Sequence, residues 1–451
     1  MKSTSFPKWL PIEIKEFYLE NGVKNLFKWQ RNIIDQSSES QQNILFSAPT
    51  SAGKSIVAEF LALRVAQEGR KVLFILPYIS VAKEKLFHLQ KCWRRVDITV
   101  AGFIGPNSVP PNDWLAAVCT IEKAASLLNR ALTDAWCDKI GMVVVDELHM
   151  LFDSSRGVNL EFLLCKILYW NRTAAVNPIR VVGMSATVPQ IKSLGEWMNS
   201  KVFRAEFRPI DLKENVVYND IVYNSEGEVF GEEIRRLESS RDVSLTLALE
   251  GCRRGKKQLL FCSSKADTEK TSLDLAKLLD PLLKSSPILK DVMEKIREGL
   301  MAAKKRLDQL GSTDKCLLLS LARGIAFHHA GLTIEERECI EETFRNGHLL
   351  VLVCTSTLAS GVNLPAETVI IKAQSRGPSA LNSTTYRQMI GRAGRMGHST
   401  EDFRIQLIIK ECRKMFFLLL KSRTEKHGNR GQRTFKGRWP KDLEASNNHL
   451  S

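Results

Sequence analysis

Short apolar runs rich in Val, Ile and Leu recur along this chain, separated by longer stretches of mixed polarity. A first set reads "NILF" at 43–46, "KVLFILP" at 71–77, "AAVCT" at 116–120, "GMVVVDE" at 141–147 and "IRVVGMSAT" at 179–187. A second set reads "KQLLFCSS" at 257–264, "LLVLVCTST" at 349–357, "TVIIKA" at 368–373 and "FRIQLIIK" at 403–410. A strand with one wet face alternates apolar and polar residues, whereas a run without polar positions is buried on both faces, as in a parallel sheet covered by helices. Stretches with helical periodicity fall between the runs, such as "IVAEFLALRVAQ" at 56–67 and "ISVAKEKLFHLQKCW" at 79–93. The pattern predicts an α/β fold with two domains, each a parallel sheet flanked by helices. From about Phe207 to Lys257 the chain is polar and uneven, and it is expected to connect the two. Residues 1–40 then form an N-terminal lead, 41–206 the first domain, 207–410 the second, and 411–451 a polar, basic tail expected to be disordered.

In open parallel sheets ligands bind beyond the carboxyl ends of the strands. The polar residues of this chain gather at those ends. "NILF" is followed by "SAPTSAGKS", Ser47 to Ser55: a strand that stops, turns through Ala48, Pro49, Thr50, Ser51, Ala52 and Gly53, and opens a helix at Lys54-Ser55. Backbone N–H groups of such a turn cradle a phosphate, the lysine reaches the outer phosphates, and the hydroxyl of Ser55 is suited to Mg²⁺. Ala48 stands where the phosphate-loop pattern usually has its first glycine. "MVVV" is followed by Asp146-Glu147-Leu148-His149, and "VVGM" by Ser185-Ala186-Thr187. Phosphoryl transfer to water needs a divalent cation on the phosphates and a group that orients the water. Asp146 is placed for the metal and Glu147 for the water. In "QMIGRAGRMG", Arg392 and Arg395 are three apart with Gln388 one turn earlier, so both guanidinium groups face one way on a helix. Two cations on one face want an anion, and a γ-phosphate reached by arginine fingers is the expected one.

Composition adds one point. The 451 residues carry 65 Lys and Arg against 50 Asp and Glu, a net charge of +15 that suits a polyanion such as nucleic acid. The 10 cysteines contain no Cys-x-x-Cys, which argues against structural zinc and reads as reduced, buried thiols of an intracellular protein. The N-terminal stretch has no signal-like apolar region, and no run approaches the length of a membrane span. His328 and His329 in "AFHHAGLT" point apart on a strand and are not expected to hold a metal.

In order, the chain carries "APTSAGKS", "DELH", "SAT", "FCSS", "AFHHAGLT", "TSTLASGVNLP" and "QMIGRAGR". This series resembles superfamily 2 helicases of the Ski-type branch, from about Leu10 to Lys410. Within the branch, "FILPYISVAKEK", "VCTIEKA", "GMVVVDELHM" and "VVGMSAT" resemble the helicase-like part of theta-type DNA polymerases, with the POLQ-like repair helicases close behind. The resemblance implies two tandem RecA-like domains, ATP and Mg²⁺ as cofactors, and a nucleic-acid strand as the moving partner. It assigns Gln30 in "LFKWQRNI" to adenine reading, Lys54 and Ser55 to phosphate and Mg²⁺, and Asp146 and Glu147 to metal and water. His149, Ser185 and Thr187 become the groups that couple ATP state to domain closure; Gly361 and Asn363 match the fifth motif, and Gln388, Arg392 and Arg395 the sixth. Pro77, Thr120 and Thr355 fall where the family grips the sugar–phosphate backbone, although a threonine opening a helix serves equally as a cap. A strand-separating hairpin is expected after the fifth motif, with its turn at Arg376-Gly377-Pro378-Ser379.

Relatives continue past the sixth motif through a winged helix and a helical ratchet, where this chain has about forty residues left. ATP hydrolysis needs only the two domains; processive unwinding draws on the ratchet. The resemblance therefore implies a DNA-stimulated ATPase and helicase motor of the repair type, placed in the nucleus. An RNA helicase of the same branch, and a truncated module that binds or anneals nucleic acid without processive unwinding, are the competing readings.

Overall fold

The structure, a computed structural model, describes residues 3–49, 52–105, 113–152, 156–173, 177–186, 191–205, 212–218, 221–223, 242–312, 314–356, 358, 364, 366–373, 383–391 and 403–409. Thr50, Ser51, Thr187, Gly361, Asn363, Arg392, Arg395, the 376–379 turn and the 411–451 tail lie outside the described residues. The chain divides into two units, Met1–Pro209 and Ile210–Ser451.

In the first unit, strands β3 (Asn43–Ser47), β4 (Lys71–Leu76), β5 (Val100–Phe103), β6 (Ala116–Thr120), β7 (Ile140–Val145), β8 (Arg180–Ser185) and β9 (Ser200–Arg204) form one sheet in the order β5-β6-β4-β7-β8-β3-β9. Every pairing in it is parallel. The apolar runs do what their lack of polar positions requires. Val72, Phe74 and Leu76 of β4 enter one core with Val144 of β7, while Leu73 and Ile75 enter the core on the other face with Val143 and Val145. Helices α1 (Ile12–Glu20), α2 (Lys28–Ser37), α3 (Lys54–Gln67) and α4 (Ile79–Trp93) cover the first face. The second is covered by α5 (Ile121–Thr133), α6 (Gly157–Thr173) and α7 (Ile191–Trp197). Two-residue strands β1 (Ser3–Thr4) and β2 (Leu26–Phe27) pair antiparallel outside the sheet. Phe6, Leu10, Ile14, Phe17 and Tyr18 of the N-terminal lead are buried in the first core, so this segment is packed onto the unit.

The second unit repeats the plan. Strands β10 (Leu212–Tyr218), β11 (Ile221–Tyr223), β12 (Gln258–Cys262), β13 (Ile325–His328), β14 (Val351–Thr355), β15 (Thr368–Ala373) and β16 (Phe403–Ile409) run in the order β11-β10-β16-β15-β12-β14-β13. All pairs are parallel except β10 with β11. Helices α8 (Val243–Arg253), α9 (Lys265–Ser285), α10 (Pro287–Gln309), α11 (Lys315–Leu321) and α12 (Ile334–Arg345) pack against this sheet and one another. The stretch 207–257, expected to connect the domains, contributes β10, β11 and α8 to the second unit. It reads unevenly because β10 lies next to the sheet edge, where a strand is not an unbroken apolar run: Val217 is buried, Lys213 exposed. No described helix is long and apolar enough to cross a membrane.

Candidate active site

The site is built where four central strands of the first unit end. Following β3, the chain passes through Ala48 and Pro49 and reaches Ala52 and Gly53 before α3 opens at Lys54. Gly53 has φ +78°, left-handed backbone that suits glycine, and a Cβ there would stand 2.5 Å from the side-chain nitrogen of Gln30. Gln30 is buried on α2 at 1 % exposure. Its Nε2 donates to the carbonyl oxygens of Gly53 (2.8 Å) and Ala52 (3.4 Å), and its Oε1 accepts the N–H of Phe27 at 2.8 Å. The glutamine therefore braces the loop from behind and ties it to the start of α2. Lys54 Nζ donates to the carbonyls of Ala48 (2.9 Å) and Pro49 (3.2 Å), so the ammonium lies within the loop it is expected to serve. Ser55 follows it in the first turn of α3.

β7 delivers Asp146 and Glu147. The Asp146 N–H donates to Ile75 O of β4 at 3.0 Å, which prolongs the sheet by one bond, and the Glu147 N–H donates to Asp146 Oδ1 at 2.8 Å. Glu147 has φ +51°, a left-handed conformation that a glutamate adopts at a cost. Burial pushes the Asp146 carboxyl up to about 6; the charge of Glu147 adds to this, while Lys54 and Lys85 pull it back. Two adjacent carboxyl groups offer hard oxygen donors, and the reluctance of Asp146 to ionise marks a place where a divalent cation would be favoured. Mg²⁺ fits these residues, with Asp146 and Ser55 as the groups that would hold it.

His149 Nδ1 lies 3.2 Å from Glu147 Oε2 and 3.0 Å from the hydroxyl of Ser185 at the end of β8. One imidazole nitrogen thus meets both neighbouring strand ends. Ser185 is fully buried, and its carbonyl accepts the Ala48 N–H at 3.2 Å, so the end of β8 is also tied to the phosphate loop. The glycine of "VVGM" has a packing reason: a Cβ on Gly183 would stand 2.7 Å from side-chain carbons of both Leu148 and Leu45.

Pro77 and Thr120 are neighbours, since they close β4 and β6, which pair in register at Leu76 and Thr120. Thr120 stands at the N-cap position of α5, but its hydroxyl makes no capping bond. Thr355 ends β14 of the second unit, paired with Cys262 of β12. Ser264, in "FCSS", caps α9 by accepting the Asp267 N–H at 3.1 Å. Gln388 lies in the helix Ser383–Ile390; its side chain is outside the described part. His328 and His329 go to different carboxylates, Glu341 at 2.8 Å and Glu269 at 3.0 Å.

Two features escaped the sequence reading. Arg156 donates to the carbonyl of Pro77, stacks its guanidinium over Tyr78 at 5.2 Å and stands 3.6 Å from Glu122 of α5. It thereby joins the two strand ends that carry Pro77 and Thr120. Glu59 of α3, 2 % exposed, meets Tyr18 of α1 together with Lys85 and His88 of α4. Burial alone would raise the Glu59 carboxyl, but the Lys85 and His88 charges hold it far below the usual range. In a one-dimensional pattern Glu59 is a lone acid within an apolar helix, and Arg156 belongs to no motif.

Comparison with known proteins finds two helicase domains in this chain. Residues 27–194 match the DEAD/DEAH box helicase family, and residues 300–397 the helicase conserved C-terminal domain. The chain is 52% identical over 412 residues to DNA polymerase theta of Caenorhabditis elegans, covering 91% of this chain and 25% of that protein. It is 32% identical to the human POLQ-like helicase, covering 87% of this chain and 36% of the relative. Against the ATP-dependent DNA helicase Hel308 of Pyrococcus abyssi it is 32% identical, covering 85% of this chain and 50% of the relative. The chain thus spans between a quarter and half the length of these relatives. With two RecA-like units, the ordered motif series and these matches together, the chain carries a DEAD/DEAH box helicase domain followed by a helicase conserved C-terminal domain, and it is similar to DNA polymerase theta, the POLQ-like helicase and Hel308.

Proposed function

We propose that this chain is an ATP-driven motor that grips single-stranded DNA and acts as a helicase or translocase in DNA repair, such as the joining of double-strand breaks. One observation carries the reading: at the ends of β7 and β8 His149 meets both Glu147 and Ser185, and the Ser185 carbonyl accepts the Ala48 N–H of the loop that holds the Lys54 ammonium. In the proposed mechanism the loop N–H groups and Lys54 bind the outer phosphates of ATP, for which the carbonyls of Ala48 and Pro49 give up the ammonium. Mg²⁺, when bound, neutralises charge on the phosphates and on the leaving group. Glu147 orients the attacking water and takes its proton. Gln388, Arg392 and Arg395 are assigned to the γ-phosphate, Thr50, Ser51, Gly361 and Asn363 to the nucleotide, and Gln30 to adenine.

His149 is the coupling residue in this reading. Its Nδ1 senses both Glu147 and Ser185, so a shift of the water-orienting carboxylate is felt at Ser185, at the end of β8. Pro77, Thr120 and Thr355 are assigned to the sugar–phosphate backbone, a contact blind to sequence and weakened by salt. Repair of chromosomal DNA places the protein in the nucleus.

The test is ATP hydrolysis with and without single-stranded DNA, with RNA of matched sequence alongside. DNA is expected to stimulate turnover, and Lys54→Ala or Glu147→Gln to lower it by about 100-fold or more. Normal turnover in either variant would remove the assignment. Stronger stimulation by RNA would make the chain an RNA motor, and nucleotide binding without turnover would make it a binding or annealing module.

A further inference from the structure

The second unit carries a groove of about 520 Å³ that no motif touches. Its main wall is one flank of α10, completed by Leu283 in the last turn of α9 and by Leu321 at the end of α11. α9 starts just after the carboxyl end of β12, and Leu283 lies about 27 Å along it. Leu321 stands just before the first residue of β13. The groove is therefore at the amino ends of these strands, opposite the end where the motif residues lie.

The lining of α10 has a period of seven. Lys290, Arg297 and Lys304 recur at one heptad position, Met293 and Leu300 at a second, and Glu294 and Met301 at a third. This is a coiled-coil seam with a cation in every layer where an apolar knob is usual. None of the three cations makes an ion pair or hydrogen bond among the described residues, whereas their neighbours Lys295 and Arg306 are paired with Asp291 and Glu342. Met301 is 64% exposed although it adjoins the groove. The face of α10 that holds the helix to the unit carries Leu289, Ile296, Ala303 and Leu307, and Leu300 is shared between that face and the groove floor.

We infer that this groove is a docking site for an acidic amphipathic helix of a partner protein. Its carboxylates would recur at the heptad positions facing Lys290, Arg297 and Lys304, and its apolar side chains would enter between them beside Met293 and Met301. A second copy of this chain laid parallel in register would set cation against cation in every layer, so self-association through this seam is disfavoured. A nucleic-acid backbone would use the cations and leave the methionine and leucine floor without a partner.

The test uses the full chain and fluorescence anisotropy of four probes. These are a 21-residue synthetic helix with Glu at each heptad a and Leu at each d, a scrambled peptide of the same composition, a version with Lys for Glu, and a single-stranded oligothymidine. The acidic helix is expected to bind at least tenfold more tightly than its scrambled form. The triple variant Lys290→Glu, Arg297→Glu, Lys304→Glu is expected to lose the acidic helix by at least tenfold and to gain the lysine version, with oligothymidine affinity unchanged. Met301→Asp, a single exposed change, is expected to weaken the acidic helix while leaving the melting temperature in place. The proposal falls if the acidic helix does not bind, if the scrambled peptide binds equally, or if the triple variant retains acidic-helix binding. A loss of oligothymidine affinity in the triple variant would make the groove a nucleic-acid surface instead.

Discussion

Gly53 serves two requirements at once, because its backbone is left-handed and its missing Cβ leaves room for the Gln30 amide. Gly53→Ala is therefore expected to cost about 1–2 kcal/mol from backbone conformation alone, and more because Gln30 must let go of the loop. The check is a lower melting temperature together with weaker binding of a fluorescent ATP analogue; unchanged nucleotide affinity would separate Gln30 from the loop's function. Asp146 illustrates the conflict between stability and chemistry. Its carboxyl is held up at about 6, above its ordinary value, so the folded state binds the proton more tightly than the unfolded chain. The penalty for ionising it is absent below about pH 4 and grows as the pH rises through 6. Asp146→Asn is expected to stabilise the metal-free and nucleotide-free chain by about 1–3 kcal/mol at pH 8, and by less at pH 5, while abolishing turnover. Thermal melts in EDTA across that pH range check this; an equal melting temperature at pH 8 would contradict it.

At the scale of elements, α3 is the strut of the first unit. It opens at Lys54 and carries Glu59 on its buried side, where α1 and α4 converge through Tyr18, Lys85 and His88. Removing the carboxylate would leave Lys85, only 10% exposed, without its counter-charge. Glu59→Leu is accordingly expected to destabilise the unit by about 3–5 kcal/mol, read as a lower urea midpoint. Replacing the pair together, Glu59→Leu with Lys85→Met, is expected to recover much of the loss, since an apolar pair of similar volume has no desolvation penalty. A double variant as unstable as the single one would show that packing rather than charge sets the cost. The sign with pH is opposite to that of Asp146. The Glu59 carboxyl is depressed, so its contribution is complete above the ordinary carboxylate range and is lost as the pH falls toward its folded value.

For the whole molecule, the two units have separate hydrophobic cores, and every motif residue up to Ser185 is on the first. Met1–Pro209 expressed alone is expected to fold and bind a fluorescent ATP analogue, with no DNA-stimulated turnover because Gln388, Arg392 and Arg395 belong to the second unit. Calorimetric melting and an ATPase assay on the fragment check both parts. Full turnover by the fragment would remove the role proposed for the sixth motif.

Much of this was legible in one dimension. A run such as "KVLFIL" has no polar position to spare, so it announces a strand buried on both faces, and the polar residues that follow each run mark the ligand end of the sheet. The motif series and two-domain plan are local in the chain and could be read there. What depends on distance in the fold could not. β10 mixes polar with apolar positions because it lies next to a sheet edge, so it and α8 read in sequence as a connection. The resemblance singles out Gln30 for adenine, but that its amide braces the phosphate loop 22 residues away emerges only when α2 is laid against that loop. Glu59 and Arg156 acquire partners only when helices and strand ends remote in sequence meet. A hydrophobic run carries its own burial requirement, whereas a lone polar residue takes its meaning from what folding brings within hydrogen-bond reach.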